Sequence, residues 1–103
     1  MQLINKHLDE IFSLCNKYQV EKLYVFGSIV KNNYDPTKSD IDFLYRMINR
    51  DPLDMGEDVL NLYEDLKVTL GTEIDLISEK SISNPVFKDS IMSSRVLIYG
   101  TKS

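Results

Sequence analysis

Asp40, Asp42 and Asp75 are the residues of this 103-residue sequence best placed to do chemistry, because aspartate is depleted in strands and all three fall in strand-like stretches. In Asp40-Ile41-Asp42-Phe43-Leu44-Tyr45 charge alternates with bulk at the start, a period of two. That period sets both carboxylates on one strand face, about 7 Å apart. Hard oxygen ligands so spaced suit magnesium, which takes one or two carboxylates and completes its octahedron with water and phosphate oxygens. If Asp75, in Glu73-Ile74-Asp75-Leu76-Ile77, faces the same side, the three can hold two ions about 4 Å apart, which activates an attacking oxygen and stabilises a leaving one. The chemistry implied is phosphoryl or nucleotidyl transfer. Glu73 shares a strand face with Asp75, but only Asp75 is flanked by apolar residues on both sides. The plain structural alternative for Asp40 and Asp42 is a solvated sheet edge.

Gly27-Ser28 supplies a complementary part. Glycine lets backbone N–H groups approach a phosphate closely, and the serine hydroxyl can donate to the same oxygens. Ser28 is not read as a nucleophile, since the sole histidine, His7, lies in the first helical stretch with nothing to make it the base. His7 and Cys15 both continue an apolar stripe and read as packed residues.

The elements that must position these groups follow from periodicity. Leu3, Ile4, Leu8, Ile11, Phe12, Cys15 and Tyr18 recur as one helix with a buried stripe. Lys22-Leu23-Tyr24-Val25-Phe26 is a strand stopped by Gly27-Ser28, and Ile29-Val30-Lys31 is a short helical turn. Residues 32–39 have loop composition. Asp51-Pro52 starts a helix carried by Leu53, Val59, Leu60, Tyr63, Leu66 and Leu70 and stopped at Gly71, with Gly56 a penalty inside it. A strand over 73–77, a helix starting at Asn84-Pro85 and a last strand Val96-Leu97-Ile98-Tyr99 complete a small α/β domain, a mixed sheet with packed helices. Exposed apolar remainders on the first helix and on residues 55–70 are candidates for a partner surface.

Composition bounds the rest. A chain of 103 residues is one domain, 1–103, with a radius of gyration of about 13 Å. The formal charge of -4 has the wrong sign for a nucleic-acid-binding surface. One cysteine excludes an internal disulfide and suits a reducing cytoplasm. No run of eighteen apolar residues and no signal-peptide pattern is present, so the expectation is a cytoplasmic protein with no membrane partner.

Phe26-Gly27-Ser28, eleven residues, then Asp40-Ile41-Asp42 resembles the signature of the DNA polymerase beta nucleotidyltransferase superfamily. The small size and the later Glu73-Ile74-Asp75-Leu76-Ile77 resemble its minimal nucleotidyltransferase (MNT) members. The resemblance implies a polymerase beta-like fold, with Asp40, Asp42 and Asp75 binding two magnesium ions and Gly27, Ser28 and Lys31 holding the triphosphate of ATP. It further implies transfer of AMP to a tyrosine of a HEPN-domain toxin, this chain being the antitoxin in a hetero-oligomer. Two features depart from the family pattern. The spacer is one residue longer than its commonest form, and Val30-Lys31 stands where a small residue and arginine are usual, so the cation is kept but the bidentate fork is lost. A non-catalytic antitoxin acting by occlusion, and a nucleotidyltransferase for a small molecule, are the alternatives.

Overall fold

The computed structural model describes residues 1–101. Its helices are α1 (Gln2–Lys6), α2 (Leu8–Lys17), α3 (Pro52–Leu70) and α4 (Pro85–Ser94), and its strands are β1 (Val20–Phe26), β2 (Ile41–Met47), β3 (Ile74–Ser78) and β4 (Val96–Tyr99). The strands form one mixed sheet in the order β3-β2-β1-β4. β1 runs antiparallel to β2 and to β4, and β2 runs parallel to β3. The α3 crossover between β2 and β3 is what a parallel pair requires. The radius of gyration is 13.1 Å, as the chain length predicts.

Both faces of the sheet are covered, unequally. Leu23 and Val25 of β1, Ile41 and Phe43 of β2, and Ile74 of β3 join Ile4, Ile11, Cys15, Leu62 and Leu66 in the larger core. On the opposite face Tyr24, Phe26 and Leu44 meet Ile91 of α4, with Ile77, Ile82 and Leu97 against them. This alternation along β1 and β2 is the period of two that the sequence carries.

The first helix differs from the single one expected. It breaks at His7, whose φ of -115° and ψ of 20° leave the helical region, and the His7 N–H is accepted by Ile4 O at 3.0 Å. Ile4 and Ile11, one on each side of the break, are both fully buried. His7 itself faces outward enough for its Nδ1 to meet Glu10 Oε2 at 2.9 Å. β1 begins at Val20, two residues before the expected start, and β2 begins at Ile41, leaving Asp40 just outside it.

α3 keeps both predicted ends. The Asp51 carboxylate accepts the Leu53 N–H at 2.9 Å, and Gly71 closes the helix at φ 66°. Its buried stripe is different, however. Leu62, Leu66 and Leu70 are inside, whereas Leu53 and Leu60, expected to carry the stripe, are 84% and 68% exposed. The sequence offers more leucines than one helix face can bury, and the sheet selects Leu62.

Candidate active site

The sheet register assembles the predicted carboxylates. Phe26 stands opposite Asp42 across β1 and β2, and Asp42 stands opposite Asp75 across β2 and β3. The next row, Tyr24, Leu44 and Ile77, lies under α4. Asp42 and Asp75 are thus on the α4 face, one row beyond the apolar contact, where Asp42 is half-buried and Asp75 exposed. Asp40, exposed and just ahead of β2, is near enough for its charge to act on Asp42.

Gly27 completes this corner for two reasons. Its φ of +79° is open to glycine and strained for other residues, and a Cβ built there would collide with Asp42 Oδ2. The turn Gly27–Ile29 is a single 3₁₀ turn following β1. The Gly27 carbonyl accepts the N–H of Val30 at 3.1 Å and of Lys31 at 3.2 Å, and the Ser28 carbonyl accepts that of Asn33 at 3.1 Å. Ser28 is half-buried beside Gly27, and Lys31 is exposed. The backbone N–H groups that open such a turn have no carbonyl within it to pair with, which is the state in which they can receive phosphate oxygens.

The loop between the two motifs is tied within itself. Asp35 Oδ1 accepts from the Thr37 N–H at 2.9 Å and the Thr37 hydroxyl at 2.7 Å, bonds that hold its carboxyl below the usual range. The Asp35 carbonyl takes the N–H groups of Lys38 and Ser39, and the Ile41 N–H reaches Glu73 O at 3.2 Å. These contacts deliver Asp40 and Asp42 to β3 at a fixed register, so the eleven-residue spacer is absorbed as a closed turn.

Electrostatics mark the same spot. Burial pushes the Asp42 carboxyl up to about 6, and the negative charge of Asp75, a hydrogen bond shared with it and the charge of Asp40 add to the rise. Like charges pressed together in this way fit a divalent cation, whose two positive charges would relieve the repulsion. Among the described residues no three His, Cys, Asp or Glu side chains already stand close enough to enclose an ion. What the fold preassembles is the Asp42–Asp75 pair, with Asp40 exposed just ahead of β2.

Two neighbours carried no sequence signal. The Arg95 guanidinium lies 4.0 Å from the centre of the Tyr24 ring and 3.8 Å from Glu79. It locks the end of α4 to the sheet one row from Asp42, and only the α4 packing brings these distant residues together. A cleft of about 690 Å³ also opens beside the turn, with Ile29, Asn32, Tyr34 and Thr72 among its walls.

Comparison with known proteins decides the family. The family model described as "Polymerase beta, Nucleotidyltransferase" matches residues 9–103. This chain belongs to that nucleotidyltransferase family. Two relatives from Methanocaldococcus jannaschii, both named "Putative protein adenylyltransferase", share 34% identity over 85 residues and 33% over 97. These alignments span 82% and 94% of this nucleotidyltransferase and 83% and 92% of the relatives. Among solved structures, one described as a "putative minimal nucleotidyltransferase" superposes with a TM-score of 0.75 at 22% identity, covering 92% of both chains. A toxin–antitoxin structure with AMP-PNP gives 0.69 at 22% identity, over 92% of this chain and 74% of the other. A tri-AMPylated Shewanella oneidensis HEPN toxin in complex with MNT antitoxin gives 0.64 at 22% identity, over 98% and 74%. These likenesses show a shared polymerase beta-like fold. Among the described residues, no helix is long and apolar enough to cross a membrane.

Proposed function

We propose that this single-domain nucleotidyltransferase is a magnesium-dependent protein adenylyltransferase, moving AMP from ATP to a tyrosine hydroxyl of a HEPN-domain toxin and so acting in the cytoplasm as its antitoxin. The observation that carries the proposal is the row Phe26, Asp42, Asp75, with Gly27 pressed against Asp42. It sets a phosphate-accepting turn against a pair of carboxylates at the open end of one sheet face. The names of the curated relatives and the toxin–antitoxin structures of like fold support the choice of acceptor.

In this reading Asp40, Asp42 and Asp75 would hold two magnesium ions, which would supply positive charge to the triphosphate and favour loss of the acceptor hydroxyl's proton. Gly27 and Ser28 hold the phosphate oxygens by backbone N–H and hydroxyl, and Lys31 reaches them as a point charge. The acceptor oxygen then forms the new bond to the α-phosphorus while pyrophosphate leaves with the electrons of the broken P–O bond. The acceptor's proton passes to a carboxylate of the set. The open end of the sheet, beyond the reach of α4, leaves room for a protein acceptor.

The test uses ATP labelled at the α or the γ phosphate, magnesium, and the product of the neighbouring gene as acceptor, read by gel and intact mass. Label from the α position alone, in whole AMP increments, is expected. Inhibition of the partner without either label, indifferent to ATP, would replace catalysis by occlusion, and transfer only to small hydroxylated compounds would replace the protein acceptor.

A further inference from the structure

α3 presents an outward face that the nucleotidyltransferase site does not use. Leu53 and Leu60 are 84% and 68% exposed. At 100° per residue they lie within about 20° of each other on the helix, with Gly56 on one side and Glu57 and Glu64 on the other. Gly56 has helical backbone and a Cβ there would meet nothing within 4 Å, so neither a turn nor crowding requires glycine. Glycine nevertheless occupies a mid-helix position that it disfavours, and leaves bare backbone as part of the wall of a cavity of about 290 Å³. Tyr45, Met47, Met55 and Val59 make that cavity apolar, and Arg46 and Lys80 bring cations to its lining.

The charges on the two flanks are opposite. On the Gly56 side stand Lys80, which makes no ion pair among the described residues, and Arg46, paired with Glu21 at 3.0 Å. Lys67 on the same side pairs with Glu73 at 3.4 Å. Glu57 and Glu64 stand on the far side. A surface with an apolar centre, one acidic flank and one basic flank is complementary to itself.

We propose that this face of α3 docks a second copy of the chain. A two-fold axis running along α3 would set Leu53, Gly56 and Leu60 against their own twins and the Glu57–Glu64 flank of each copy against the Arg46–Lys80 flank of the other. The cavity faces the large-core side of the sheet at the C-terminal end of β2, whereas Asp42 and Asp75 face the other side near its start. The dimer therefore leaves both sets of carboxylates open.

Light scattering on the full chain across a concentration series tests this. The expected mass rises to twice the 11.9 kDa of one chain. L60E, which sets a carboxylate against its twin on an already exposed position, is expected to hold the protein monomeric with its circular dichroism unchanged and a Tm that no longer rises with protein concentration. K80E should weaken association about tenfold or more, and adding E57K and E64K to K80E should restore it. A wild-type chain that stays monomeric at every concentration overturns the proposal. So does a dimer indifferent to both L60E and K80E, or a monomer that uses this face, lost in L60E, to bind the HEPN protein.

Discussion

At the residue scale, Asp42 is where the proposed function and stability oppose each other. Its carboxyl titrates near 6 in the fold against 3.8 for the free group, so the fold favours the neutral form. The associated stability is fully present below about pH 3.8 and is lost as the pH rises through 6, leaving an ionised carboxylate beside Asp75 that works against folding. Discounted for solvent screening at this partly exposed site, the effect is roughly 1 kcal/mol. Asp42→Asn should therefore melt higher than the parent at pH 8 in the presence of a chelator, with the difference gone at pH 4, while AMP transfer is abolished. Equal melting at both values would remove the electrostatic account of the site. Gly27→Ala should fail differently, because the new methyl group meets both the left-handed backbone and Asp42 Oδ2. A loss of about 1–2 kcal/mol in urea unfolding is expected from the backbone alone, together with a deep fall in transfer. A Gly27→Ala protein with parental activity would show that the close approach is dispensable.

At the scale of elements, each helix is held by devices that can be tested separately from the site. Asn84 Oδ1 accepts the N–H groups of Val86 at 2.9 Å and Phe87 at 3.2 Å. Asn84→Ala should cost about 1 kcal/mol in chemical denaturation. It should also loosen α4, whose Ile91 seals the row next to the carboxylates. Gly56→Ala should act in the opposite direction. With open space where the methyl group would go, it gains helix propensity of up to about 1 kcal/mol. A Gly56→Ala protein that unfolds more readily than the parent would show that the helix backbone there is not what the structure gives. The two substitutions together ask whether α4 or α3 governs the rigidity of the sheet under the site.

At the scale of the molecule, the site is a meeting of three chain segments, and cation binding should therefore be coupled to global folding. Magnesium at ten times its Kd should add about 1.4 kcal/mol of stability through preferential binding to the folded state. The rise in Tm should appear for the parent at pH 8 and vanish for Asp42→Asn, and a rise equal in both would place the cation elsewhere. Much of this organisation was legible in the sequence. Strand periodicity set the two faces of β1 and β2 but carried Asp40 into a strand that starts one residue later, cap and proline placed the starts of α3 and α4, and Gly27-Ser28 with Asp40-Ile41-Asp42 pointed to the proposed chemistry, because these signals depend on neighbours along the chain. Register, the break at His7, the burial of Leu62 in place of Leu53 and Leu60, and the stacking of Arg95 on Tyr24 were decided only by tertiary structure. Each depends on which distant surfaces meet and how much area they have to cover, and Asp75 joins Asp42 for the same reason: 33 positions apart in sequence, they become neighbours only when β3 pairs with β2 in parallel.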